Sequence, residues 1–230
     1  MTPTVIPVPA PTCLPVRGTD ALFPVRRIYC VGRNFAEHAK EMGATVDRGN
    51  PVFFMKPGDA IVAGGGRVPY PPGTRDLHHE VELVVALGRD ADGPVTVADA
   101  PALVFGYGVG LDLTRRDLQA NAKAKGLPWD TAKGFDHSAP ASELVPVAAA
   151  GEIFTRTLSL EVNGELRQQA RLDTMVFTVA EVLHELSKLY ALKAGDLVFM
   201  GTPAGVAALV PGDHFRASVD GLLALEGDIA

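Results

Sequence analysis

Glu80 and Glu82 stand two positions apart in His78-His-Glu-Val-Glu-Leu83, at the head of a run that continues Val84-Val85-Ala86-Leu87. Side chains alternate along a strand, so both carboxylates are expected to face one place. Two like charges at the margin of an apolar environment require positive charge between them. An outer strand face turned to solvent would remove that demand. Asp112 is a third acid in an apolar run, at the end of Val104 to Leu111. The three together supply oxygen ligands from two strand ends, a hard donor set suited to Mg²⁺ or Mn²⁺, with Ca²⁺ an open third choice. His78 shares the parity of the glutamates, which leaves a mixed site for a softer metal open; His79 points the other way and is expected to be structural.

A second pair lies upstream. Phe35 to Met42 reads as a short helix with Asn34 as cap, Glu37 at its third position and Gly43 as terminator. His38 and Glu41 are three apart and share a face, as a base and its orienting carboxylate would. An ordinary exposed ion pair is the plain alternative.

The elements that would position these groups are mostly strands. The 24 glycines and 18 prolines imply many turns and a β-rich architecture. Short strands are expected at Ile28–Val31, Val52–Met55 and Leu197–Met200. Asn163-Gly164 and Asp220-Gly221 mark two hairpins. Gly106, Gly108 and Gly110 alternate along a strand and suit close backbone packing better than a nucleotide fingerprint. Thr114 is expected to start a helix with Asp117 as capping partner, ended by Gly126 and Pro128. The clearest helix is Phe177 to Leu192, with the capping box Thr178/Glu181 and a buried stripe of Leu183, Leu186, Leu189 and Tyr190.

At 230 residues the chain can bury a full core as one domain. Residues 1–24 read as a Pro-punctuated extended segment wrapped on the surface, and 25–230 as one compact β-rich domain. A net charge of −6 provides no basic field for nucleic acid. Cys13 and Cys30 lack disulfide or zinc spacing and are expected to be inert in a reducing compartment. The first residues show neither a basic leader nor an apolar h-region and no run reaches membrane-spanning length, so a cytoplasmic protein without a membrane partner is expected.

Several motifs in order carry a resemblance: Tyr29-Cys-Val-Gly-Arg-Asn-Phe-Ala-Glu-His38-Ala-Lys-Glu41, His78 to Leu83, Leu111-Asp-Leu-Thr-Arg-Arg-Asp-Leu-Gln119, Gly126-Leu-Pro-Trp129, Ala132-Lys-Gly-Phe135, Val162-Asn-Gly-Glu165 and Gly201-Thr-Pro203. Collinear over about residues 22 to 228, they resemble the fumarylacetoacetate hydrolase family, and within it most the fumarylpyruvate hydrolases of gentisate breakdown. The resemblance implies a β-rich α+β fold, a mixed β-roll with a small N-terminal lobe. It implies a divalent metal on Glu80, Glu82 and Asp112, usually in a homodimer, and a lid dyad of His38 and Glu41 that orders when substrate binds. Arg33, Gln119, Lys133 and Thr202 are placed around the substrate. Lys56 and Arg115 are weaker candidates, for which a solvated charge is at least as good a reading.

The implied reaction is hydrolysis of a carbon–carbon bond in an acylpyruvate. Glu41 orients His38, which takes a proton from water; Lys133, with Gln119, stabilises the oxyanion, and pyruvate leaves as its enolate. Oxaloacetate decarboxylation or keto-acid tautomerisation would use the same site with less from the dyad. A non-catalytic, cation-binding scaffold is the reading of another class. Phe35, Gly134 and Ala207-Ala208 depart from the family's usual residues, and the last pair leaves the backbone course beside Thr202 open.

Overall fold

The computed structural model describes residues 3–41, 43 and 47–230. Met42, in the expected first helix, and residues 1 and 2 of the expected N-terminal segment lie outside them.

The chain is β-rich with short helices, built on a mixed eight-stranded sheet and a five-stranded one. Across the larger sheet run Val52–Lys56, Ile28–Gly32, Leu197–Phe199, Val81–Leu87, Val104–Leu111, Ala139–Ala141 and Ile61–Ala63, with Val145–Pro146 paired beside Val104–Leu111 as the eighth. Leu197–Phe199 lies parallel to Ile28–Gly32 and antiparallel to Val81–Leu87. The five-stranded sheet contains both expected hairpins, Thr157–Val162 with Glu165–Arg171 and His214–Val219 with Leu223–Ile229. Asn163 and Gly164 both take positive φ, 55° and 78°, as the tight turn requires.

Val81–Leu87 is buried at every residue, so its two faces serve two cores. Leu83, Val85 and Leu87 join the main core with Leu158, Leu160 and Phe215. Val84 and Ala86, which share the parity of Glu82, pack with Leu14, Ile28 and Phe199. Glu82 therefore stands at the end of an otherwise apolar face. The alternating glycines allow that close approach: a Cβ on Gly110 would lie 2.8 Å from the Phe199 ring and 2.9 Å from Pro140 O.

Residues 13–15 and 22–24 pair as a short hairpin, and Leu14 is fully buried. Cys30 is buried, and burial pushes its thiol well above the ordinary range, as an inert core residue requires. Among the described residues no helix is long and apolar enough to cross a membrane.

Three local expectations differ. Asn34 does not cap the first helix, Ala36–Glu41; it is fully buried, donating to Phe177 O and Met200 O and accepting from Phe177 N. Thr114 does not cap the second, which starts at Arg116; it sits in a two-residue strand against His78, and Asp117 accepts instead from Thr74 and Arg75. Both residues are used in tertiary contacts that local sequence does not display. In the helix Val179–Leu189 the capping box forms as expected, but Leu189 is exposed because the helix ends there.

Candidate active site

The end of Val81–Leu87 and the end of Val104–Leu111 are tied by Asp112 N donating to Glu80 O at 2.8 Å. This bond extends the antiparallel ladder that pairs Val81 with Leu111 and Glu82 with Gly110, and this register sets the third acid beside the first two. One oxygen from each of Glu80, Glu82 and Asp112 lies within 4.8 Å of the others, and all three residues are buried. Glu80 immediately precedes the strand rather than lying inside it, yet its carboxylate still reaches the same place as Glu82's.

Cations surround the acids. Lys133 donates to Glu80 Oε2 at 2.7 Å, Asp112 Oδ2 at 2.6 Å and Thr114 Oγ1 at 2.7 Å. Arg116 donates to Glu80 Oε1 at 2.5 Å. Lys56 Nζ lies 2.8 Å from Asp112 Oδ1 and also donates to Leu113 O and Lys133 O. Lys56 is 2% exposed, so its reading as a solvated charge is corrected. Arg115 stays outside the cleft, stacked on Phe135 and donating to Thr131 O.

This charge pattern separates the two glutamates. Burial opposes ionisation of Glu80, but Lys133 and Arg116 overcome it and hold the group well below the usual carboxylate range. Burial pushes Glu82 well up, and Asp112 and Glu80 push it further. Its hydrogen bond among the described residues is the Gly201 N–H on Oε2 at 2.7 Å. The cations fall on Glu80 and Asp112, so uncompensated charge is concentrated on Glu82. Lys133 is the counterpart, raised by Asp112 and Glu80 despite its burial.

A hard divalent cation fits these residues. The donor set is all oxygen, Glu82 forms no ion pair among the described residues, and buried Asp112 Oδ1 has ion-pair proximity to Lys56 but no aligned hydrogen bond. His78 is not among the converging ligands; it pairs with Asp76 at 2.8 Å and meets Arg116. His79 bonds Gln168, in keeping with a structural role.

The other expected residues converge on the same cleft. His38, Arg33, Gln119, Lys133 and Thr202 line it with Glu80 and Glu82. His38 Nδ1 lies 3.3 Å from Glu41 Oε2, and both Glu41 oxygens accept from Gly205 N at 3.2 Å, which docks the helix over the cleft. Burial lowers the His38 imidazole pKa against the opposing pull of Glu80 and Glu41. Arg33 takes the left-handed conformation, φ 62°, uncommon for a side chain of its kind. Ala208–Leu209 pair with Leu77–His78, which fixes the course of the chain beyond Thr202.

Sequence reasoning missed Arg116, Lys123, Phe54 and Trp129, which also line the cleft. Arg116 carried a readable trace: it lies three residues before Gln119 on one helix, and its Nη1 donates to Gln119 Oε1 at 2.6 Å.

A family model described as Fumarylacetoacetate (FAA) hydrolase C-terminal matches residues 27–230. The mitochondrial oxaloacetate tautomerase of Rattus norvegicus is 44% identical over 200 residues, covering 87% of this chain and 90% of that protein. The oxaloacetate tautomerase of Escherichia coli (strain K12) is 42% identical over 200 residues, covering 86% and 90%. The crystal structure of fumarylpyruvate hydrolase from Pseudomonas aeruginosa in complex with Mn²⁺ and pyruvate matches with a TM-score of 0.95 at 43% identity, covering 99% of both chains.

Proposed function

The chain belongs to the fumarylacetoacetate hydrolase family, and on that premise we propose that it hydrolyses a carbon–carbon bond in an acylpyruvate, foremost fumarylpyruvate to fumarate and pyruvate. The observation that carries this reading is the buried His38, paired with Glu41 and lining the same cleft as Glu80 and Glu82. A hydrolase needs a base for water there.

Glu80, Glu82 and Asp112 would hold a divalent cation, Mg²⁺ or Mn²⁺, whose fixed positive charge stabilises negative charge developing on a 2-oxo acid. Arg116, Arg33 and Thr202 supply the charge and hydrogen bonds that hold substrate carboxylates. With Nδ1 turned to Glu41, His38 presents Nε2 to water and takes its proton. Hydroxide adds to the acyl carbonyl, the carbon–carbon bond breaks, and its electron pair leaves with the pyruvate fragment, which is then protonated. Arg116 holds Gln119 Oε1, so the amide presents its N–H groups to the cleft as donors for the oxyanion. All three Lys133 N–H groups are engaged. Lys133 meets the oxyanion by exchanging one of those bonds.

Keto–enol tautomerisation of oxaloacetate is the second reading, favoured by the names of the rat and Escherichia coli relatives. The hydrolase reading is supported by the 99% coverage of the match to the Pseudomonas aeruginosa enzyme, which takes in the N-terminal hairpin. Parallel assays with fumarylpyruvate, acetylpyruvate and oxaloacetate separate the two. Release of fumarate with pyruvate is expected; tautomerisation of oxaloacetate with no acylpyruvate cleavage would overturn the proposal.

A further inference from the structure

Gln168 lies on the strand Glu165–Arg171 of the five-stranded sheet, 1% exposed, outside the cleft lining. All four of its amide hydrogen-bonding positions are used. Oε1 accepts from Val81 N at 3.1 Å and faces His79 Nδ1 at 2.9 Å. Nε2 donates to Pro203 O and Thr202 Oγ1, both at 2.8 Å. Two of these partners fix the orientation of the amide. Val81 N–H is a donor and Pro203 O an acceptor, so the flipped amide would set donor against donor and acceptor against acceptor. The same logic places a proton on His79 Nδ1.

The consequence falls on Thr202. A threonine hydroxyl has one hydrogen and can accept through its lone pairs. Thr202 Oγ1 accepts from Gln168, no acceptor among the described residues takes its own hydrogen, and the residue lines the cleft with Glu82, Arg33 and His38. Arg167 O on the same strand also packs where a Cβ on Gly205 would sit, 2.1 Å away, while Gly205 N donates to Glu41. Residues 167 and 168 are thus the platform on which the segment 202–205 rests.

We propose that Gln168 is a positioning residue that makes Thr202 a hydrogen-bond donor to an anionic oxygen of the substrate. This rests on the reading of the cleft as a 2-oxo-acid site. Gln168→Glu is the informative change. Its carboxylate would accept the Thr202 hydrogen and face Pro203 O with no hydrogen to give, turning the hydroxyl away from the cleft.

The test is the dissociation constant of pyruvate from Mn²⁺-loaded full-length protein, measured by calorimetry beside melting temperature. Loss of a hydrogen bond to a charged group predicts about tenfold or more weaker binding in Gln168→Glu and in Thr202→Val. The double variant should be no weaker than either single one, since both remove one donor, and Thr202→Ser should bind as wild type does. If Gln168→Glu does not fold, Gln168→Met serves: it frees the hydroxyl to rotate, and its loss of binding should vanish in a Thr202→Val background. Gln168 variants that melt lower but bind pyruvate as wild type does, or losses that multiply in the double variant, would overturn the inference alone. Wild-type protein that binds no pyruvate would overturn the 2-oxo-acid reading and this inference with it.

Discussion

Lys133 donates to Asp112 at 2.6 Å with both side chains buried. A cation supplied by the chain thus already neutralises part of the charge that a divalent ion would neutralise. Lys133→Met leaves Asp112 and Glu80 short of a counter-charge, and breaking a buried pair in this way costs about 3–5 kcal/mol. Urea unfolding in the presence of a chelator should show that loss. Added Mn²⁺ should restore more stability to the variant than it adds to wild type.

Glu82 should behave in the opposite way. Its folded-state pKa lies above its unfolded value, so the ionised form costs stability. In chelator, wild-type stability should fall as pH rises through and above the ordinary glutamate range, and Glu82→Gln should flatten that slope. At neutral pH without metal the variant should melt at or above the wild-type temperature. A lower melting temperature would contradict an uncompensated buried charge at Glu82.

His38 titrates below the ordinary histidine value because it is buried. The base form therefore persists below pH ~6.5, and the acid limb of kcat/KM for acylpyruvate cleavage should lie beneath that value. The neighbouring groups are Glu41 and Glu80, which raise the pKa, and Arg116, which lowers it. Glu41→Gln should move the limb further toward acid. His38→Ala should reduce turnover by about 10²–10⁴-fold, the usual contribution of a positioned base.

Asn34 joins the Ile28–Gly32 end of the sheet to the entry of the helix Val179–Leu189 through Phe177 and Met200. Asn34→Ala strands buried backbone groups at both ends and should destabilise the protein by about 2–4 kcal/mol in denaturant unfolding. A surface cap in that position would cost only about 1 kcal/mol.

The contrast at Asn34 shows which parts of the molecule were legible from sequence. Strand parity placed Glu80 and Glu82 together, and Asn163-Gly164 fixed its hairpin, because both follow from geometry within a few residues. Asn34 and Thr114 have the composition of helix caps, but one straps 143 residues across the fold and the other accepts from Lys133. Burial of Lys56 is similarly invisible in Met55-Lys56-Pro57, since its partners Asp112 and Leu113 are brought by another strand. Glu80, Glu82 and Asp112 stood out as acids in apolar runs, whereas Arg33, Gln119, Lys133 and Thr202 were indicated only by the ordered motifs. Arg116, a charged residue in a polar helix, did not stand out.

The most direct test of the account is a paired titration of wild type and Glu82→Gln, with Mn²⁺ binding followed by calorimetry and fumarylpyruvate loss followed by ultraviolet absorbance. Wild type should bind the ion and cleave the substrate only when it is present. The variant should lose affinity and activity together while remaining folded. Undiminished Mn²⁺ binding and turnover in folded Glu82→Gln would contradict the assignment of Glu80, Glu82 and Asp112 as the metal site.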